Sequence, residues 1–234
     1  MMTNKEFVKF YSEYIKTVQE RKTIIDATYI CPLQCPLCAR QTDTKIKERL
    51  RNSKDITFEN FDKFLKFSKK LTFGGSISDP IYHKNFLRLL EMFSETTGKT
   101  LDIYTTATRK KPHWWKRAFE LTKNNVRWTF GLDGTDQETA NKYRVNTRFD
   151  EVMEVMKLGA SMGNTVIWQF IVFRHNEHQI EEAKEICKKY NIILKVIKSG
   201  RWDEEVSQKH QIFPPSDKWK SGNSVTKFIM IKPI

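Results

Sequence analysis

The stretch Cys31-Pro32-Leu33-Gln34-Cys35-Pro36-Leu37-Cys38 decides how the rest of this chain is read. It holds three of the chain's four cysteines, spaced C-x₃-C-x₂-C. The run Ile24 to Ile30 before it is strand-like. Pro32 and Pro36 each remove a backbone donor and fix φ, which forbids regular helix. The segment therefore reads as a loop at a strand end, able to wrap three thiolates around one object. Three sulfurs leave tetrahedral zinc one ligand short. They suit a [4Fe–4S] cluster with one iron open to a non-protein ligand, since full protein ligation takes four cysteines. A zinc site completed by a distant His or by Cys187, and three ordinary buried thiols, are the competing readings.

Around this loop the chain alternates. Residues 4–20 have the 3–4 residue apolar spacing of an amphipathic helix. Gln41 to Asp55 is charged and reads as an irregular connection. A helix opens at Thr57, with Phe58, Phe61, Phe64 and Leu65 on one face. Leu71–Phe73 reads as a strand and His83–Glu95 as a helix, with Gly98 as its stop. Thr100–Thr106 is a strand, and Pro112–Lys123 a helix with proline at its first position. Val126–Leu132 is a strand, followed by a helix over Thr147–Met162 with Thr147 and Asp150 as a capping pair. Thr165–Phe173 is a strand, Asn176–Tyr190 a helix capped by Asn176, and Ile192–Ile197 a sixth strand. Such alternation implies parallel pairing with right-handed crossovers. A doubly wound sheet and a partial barrel both satisfy it. From Gly200 the alternation ends, and Val225–Ile231 has the pattern of a last strand.

The cysteine spacing resembles that of the radical S-adenosylmethionine (radical SAM) enzymes. The resemblance implies an α/β fold, a partial (β/α)₆ TIM-type barrel over residues 22–198. A helix at 1–21 and a short extension at 199–234 complete a single domain. It also implies that Cys31, Cys35 and Cys38 hold a [4Fe–4S] cluster whose open iron is chelated by S-adenosylmethionine. Reductive cleavage of that cofactor would give a 5′-deoxyadenosyl radical, which abstracts hydrogen from a substrate. Leu37 stands where relatives often carry an aromatic residue, and the implied contact there is a backbone one to adenine. Phe73-Gly74-Gly75-Ser76-Ile77-Ser78-Asp79-Pro80 is similar to the family's Gly-Gly-Glu-Pro segment. That similarity puts Gly75, Ser76 and Asp79 beside the cofactor's amino group, and a plain Asp-Pro turn is the alternative.

Further motifs extend the resemblance. Thr106 replaces the Asn of the family's Thr-Asn-Gly. Asp133-Gly134 with Tyr143-Arg144 and Phe149-Asp150 resembles the peptide-modifying SPASM/twitch group. By that resemblance Asp133 meets a ribose hydroxyl and Arg144 the cofactor carboxylate. A surface ion pair of Arg144 with Asp136 or Glu138 is the alternative. Gln169 and Ile171 on the fifth strand would flank adenine. SPASM/twitch relatives carry further cysteines after the barrel, and none follows Cys187 in this sequence.

The formal charge of +13 admits RNA, DNA or acidic peptides as partners. No nucleic-acid motif accompanies it, so a solvated lysine-rich surface is the preferred reading. Trp114-Trp115 lies among cations, yet barrel packing is the expected use of at least one ring. Cys187 shares an apolar helical face and reads as a core thiol. His175 and His178 stand three apart at a helix start, where Asn176 capping is the simpler account. No run of about 18 apolar residues is present, and the N-terminus lacks an apolar signal core. A cytoplasmic protein is expected, with cysteines used for metal rather than disulfides. The expected function is a radical SAM enzyme acting on a peptide or small molecule, served by an electron donor such as flavodoxin or ferredoxin. An RNA-modifying radical SAM enzyme and a zinc-bearing nucleic-acid-binding module are the alternatives.

Overall fold

A computed structural model describes residues 12–13, 22–74, 77–123, 125–216 and 229–231. The helix expected over 1–21 lies outside these residues except for Ser12 and Glu13, which are helical. The apolar alternation of the strands forms one sheet. Its members are β1 (Lys22–Ile25), β2 (Lys70–Phe73), β3 (Thr100–Thr105), β4 (Val126–Gly131), β5 (Thr165–Val172), β6 (Ile193–Lys198) and β7 (Ile229–Ile231). They lie side by side in chain order. β1 to β6 are parallel, and β7 runs antiparallel to β6 with Met230 opposite Lys195. A doubly wound sheet reverses its strand order at a switch point. The unbroken order here is that of the partial barrel.

The helices are α1 (Ala39–Thr42), α2 (Thr44–Arg51), α3 (Phe58–Phe67), α4 (Phe86–Ser94), α5 (Pro112–Leu121), α6 (Gln137–Tyr143), α7 (Phe149–Ser161), α8 (Ile180–Tyr190) and α9 (Glu204–His210). The core lies between the helices and one face of the sheet. Trp115 of α5 packs edge-on against Trp128 of β4, with ring centroids 5.6 Å apart. Both are fully buried, as are Phe119 and Phe130. At Gly159 of α7 an added Cβ would stand 2.8 Å from the Phe119 ring, so the crossing needs glycine there. Cys187 is buried in the same apolar cluster, as its helical face requires.

The other face of the sheet is polar. Asp102 accepts hydrogen bonds from Arg127 at 2.6 and 2.9 Å and pairs with Lys22 at 2.9 Å. Burial works against the Asp102 charge, yet these cations hold its carboxyl below the usual range.

Three local expectations are corrected. Gln41–Asp55 is not irregular: α1 and α2 occupy most of it, because Asp43 accepts from Ile46 N at 3.1 Å as an N-cap. The Thr147–Asp150 capping pair does not form. Arg148 is the N-cap of α7, and the Thr147 hydroxyl is buried without a partner. Asn176 does not cap α8, which starts at Ile180 after a 3₁₀ turn over Glu177–Gln179. α6 was not anticipated, although Asp136 caps it by accepting from Thr139 N at 2.8 Å.

Candidate active site

The functional groups gather at the C-terminal ends of the strands, as in barrels generally. There a cavity of about 310 Å³ is lined by Cys31, Cys35, Cys38, Asp79, Arg144 and Gln169, among others. The loop after β1 carries the three thiols, and several contacts hold it. Cys38 N donates to Cys35 O at 3.0 Å and Gln34 N to Val145 O at 3.1 Å. The Leu37 side chain is buried with Tyr143, Phe173 and Ile212. Arg40 Nη1 donates to Tyr29 O and to Ile77 O, both at 2.7 Å. One guanidinium thereby ties the cysteine loop to the segment leading into Asp79.

None of the four cysteines is in a disulfide. Burial, then the Asp79 charge, pushes the Cys31 thiol up to about 11, and burial with the two neighbouring cysteines pushes Cys35 to about 12 against the Arg144 charge. Raised in this way, the Cys31 and Cys35 thiols would have to give up their protons to bind metal. The soft donor set suits iron–sulfur ligation. The three sulfurs also face one cavity. Among the described residues no group of three or more His, Cys, Asp or Glu side chains is arranged to hold a single metal ion.

Asp79 both starts a turn and lines the cavity. It precedes the 3₁₀ turn Pro80–Tyr82, and its Oδ1 accepts from Ile81 N at 3.4 Å. Its Oδ2 accepts from Thr106 N at 2.9 Å and Thr106 Oγ1 at 2.6 Å. The carboxyl is 1% exposed, and burial pushes its pKa up against these bonds. Gly74 before it has φ +96, and a Cβ there would lie 2.6 Å from Tyr104 O. Gly75 and Ser76 lie outside the described residues.

Arg144 does not pair with Asp136 or Glu138. Its Nε donates to Asp133 Oδ2 at 2.7 Å, and the pair is buried. Asp133 Oδ1 accepts from Ile171 N at 2.7 Å. Burial pushes the Asp133 carboxyl up, opposed by Arg144. Arg144 pays the same desolvation, but the Asp133 charge outweighs it and raises its pKa. The guanidinium lies flat over Gly131, where a Cβ would stand 2.7 Å from Cζ and both terminal nitrogens. Gly131→Ala should therefore displace the guanidinium and loosen its pair with Asp133, lowering the urea midpoint while far-ultraviolet dichroism stays unchanged.

Asn176, fully buried, closes this corner. Its Nδ2 donates to Asp133 O at 3.0 Å and Ile171 O at 2.9 Å, and its Oδ1 accepts from Phe173 N at 2.7 Å. Sequence reasoning missed it because a helix cap explained it locally. Arg40 carried no signal beyond standing two residues after Cys38. Lys198 and Arg201 also line the cavity, and only the tertiary fold brings them there. Gln169 and Ile171 line it as well, whereas the Leu37 side chain points into the apolar cluster.

His175 stacks on Phe173, centroids 5.4 Å apart, and both its ring nitrogens are buried without partners. Burial, then Lys142 and His178, lowers its pKa from 6.5 to about 4. As pH falls through this window the unfolded chain takes up the proton first, so stability should be lost between pH 6.5 and 4. Thermal unfolding against pH checks this, and His175→Phe should flatten that part of the profile.

A parallel partial barrel with three unbridged thiols and its polar groups collected at one rim has the build of a cofactor-dependent enzyme. The model of the Radical SAM superfamily matches residues 25–189, and the chain belongs to that superfamily. The superfamily's cofactors are a [4Fe–4S] cluster and S-adenosylmethionine.

The solved structures it resembles share the fold at low identity. SuiB of Streptococcus suis aligns with a TM-score of 0.66 at 15% identity, over 87% of this chain and 47% of SuiB. Methylornithine synthase (PylB) aligns at 0.56 and 17%, over 85% of this chain and 61% of PylB. Native anSMEcpe with bound AdoMet and Cp18Cys peptide aligns at 0.55 and 16%, over 76% of this chain and 50% of anSMEcpe. The chain thus spans about half the length of SuiB and anSMEcpe. Among the described residues no helix is long and apolar enough to cross a membrane.

Proposed function

We propose that this protein is a radical SAM enzyme that acts on a peptide, with Cys31, Cys35 and Cys38 holding the cluster. The observation that carries this is the shared cavity. Three thiols, a buried carboxylate and a buried guanidinium line one space of a size suited to a small cofactor. When bound, the cluster and S-adenosylmethionine would supply reductive radical chemistry able to remove a hydrogen atom from a substrate.

The chain's own residues bind and orient. Asp79 accepts from the cofactor's ammonium, a charge-assisted contact. Thr106 fixes the rotamer of Asp79 through its two donors to Oδ2. Arg144 presents its terminal nitrogens to the cofactor carboxylate. Asp133 anchors Arg144 through Nε, so its role is positioning, and the ribose contact first expected of it becomes secondary. The backbone at Leu37 and Ile171, and the Gln169 side chain, border the adenine. A flavodoxin or ferredoxin donor and a cytoplasmic setting go with this reading.

A peptide substrate is supported by SuiB, whose structure was also solved bound to precursor peptide SuiA, and by anSMEcpe with its bound peptide. Anaerobic reconstitution with iron, sulfide, dithionite and S-adenosylmethionine tests the core of the proposal. A brown protein that forms 5′-deoxyadenosine is expected. A colourless protein with bound zinc and no cleavage would sink it. Asp79→Asn should still assemble the cluster but lose about 1.5–3 kcal/mol of cofactor affinity, the scale of a hydrogen bond to a charged group. Unchanged affinity by titration would leave Asp79 as a turn residue.

A further inference from the structure

The cavity carries more positive charge than the two cofactors use. Its lining includes four cations, Arg40, Arg144, Lys198 and Arg201, against one carboxylate, Asp79. Arg40 is engaged by two backbone carbonyls and Arg144 by Asp133. On the reading above, which this inference rests on, Arg144 and Asp79 also take the two ends of the cofactor's methionine part. Lys198 and Arg201 are left over. Neither pairs with a carboxylate among the described residues.

The backbone that bears these two cations is also held in place. Lys198 is the last residue of β6, in register with Val172 of β5. The loop after it folds on itself: Arg201 N donates to Ser199 Oγ at 3.1 Å, and Trp202 Nε1 donates to Ser199 O at 3.1 Å. The Trp202 ring meets Phe173 edge-on, centroids 5.8 Å apart. Phe173 packs in turn on Tyr143 at 4.5 Å and belongs to the cluster that buries Leu37 of the cysteine loop. The loop that bears Arg201 is therefore pinned to the segment that holds the metal.

We propose that Lys198 and Arg201 form a subsite for a carboxylate of the substrate, so that the enzyme selects an acidic segment. Two adjacent cations without a carboxylate partner, one half-buried and one exposed at the cavity rim, raise the local concentration of anions there. The subsite suits a carboxylate better than RNA. Single-stranded RNA binding needs an open aromatic face for stacking. Of the two tyrosines in the lining, Tyr143 is buried. The Tyr104 ring is flanked by the ammonium groups of Lys22 at 5.9 Å and Lys195 at 5.6 Å.

The test uses the reconstituted protein loaded with S-adenosylmethionine. Fluorescence anisotropy compares a labelled glutamate-rich decapeptide with a lysine-rich one and with an oligouridylate of equal length. The glutamate-rich peptide is expected to bind. The double variant Lys198→Glu/Arg201→Glu should weaken it by roughly tenfold or more, the loss of about one charged contact, with cofactor affinity unchanged. Lys198→Arg/Arg201→Lys should largely restore it. The control Lys111→Glu/Lys116→Glu, on the exposed start of α5, makes the same change in net charge and should matter little. Displacement by free glutarate would mean that a small carboxylate suffices. Resistance to glutarate would mean that the peptide context is read, and the carboxylate subsite stands in both cases. Equal losses in the two double variants, no loss at 198 and 201, or tighter oligouridylate binding abolished by the same replacements would overturn it. A wild-type protein that neither binds nor cleaves S-adenosylmethionine would instead refute the underlying cofactor reading, whatever the peptide does.

Discussion

Cys31→Ala, Cys35→Ala and Cys38→Ala proteins, reconstituted anaerobically, should each fall to background in 5′-deoxyadenosine formation. Each replacement removes one of three sulfurs that face the same cavity. Two remaining thiolates leave two irons of a four-iron cluster without protein ligands. Wild-type protein should hold ~4 irons per chain and lose most of them in each variant. Cys187→Ala is the control. That thiol lies 2% exposed in the apolar core on α8, away from the cavity lining. Cleavage should persist in that variant, with a small stability loss from the missing atom. Equal loss of cleavage in folded Cys187→Ala would place that sulfur in the chemistry after all.

Arg144→Met should lower the stability of the apoprotein by about 3–5 kcal/mol in urea unfolding, because it strands a buried carboxylate. Asp133 is fully buried and Arg144 nearly so. With Arg144 gone, Asp133 Oδ2 loses its charged donor and keeps only the Ile171 N–H on Oδ1. Asp133→Asn should cost less, since a neutral amide tolerates the same site. The double variant should cost less than the sum of the singles, which is the signature of direct coupling. Additive losses would show that the two groups stabilise the fold independently. Arg144→Met should also weaken cofactor binding, and Arg144→Lys should recover less than full affinity because an ammonium lacks the planar fork.

Much of the site was legible before the fold. The C-x₃-C-x₂-C loop carries its signal in local spacing, since three thiols within eight residues are brought together without a distant partner. Pro32 and Pro36 exclude the helix, and the alternating strands and helices follow from side-chain periodicity. The order of the strands in the sheet did not follow from that periodicity. A strand pattern states which side chains are apolar and not which strand lies next, so periodicity left both parallel architectures open, the family resemblance chose the partial barrel, and the strand pairing bears that choice out. Local propensity also misread Asn176 and Thr147: a helix-capping residue type sits at each, and tertiary contacts claimed one and buried the other.

What the sequence by itself determined was therefore the loop of three clustered thiols, the parallel α/β class and the core role of Cys187. Each rests on spacing along the chain or on one face of one element. The tertiary structure alone decided the register of the strands, the Asp133–Arg144 pair, the Arg40 clamp across two loops, and the arrival of Lys198 and Arg201 at the cavity. These join residues far apart in sequence. Their energies depend on burial and on the direction of a donor, and neither quantity exists until the strands have closed side by side.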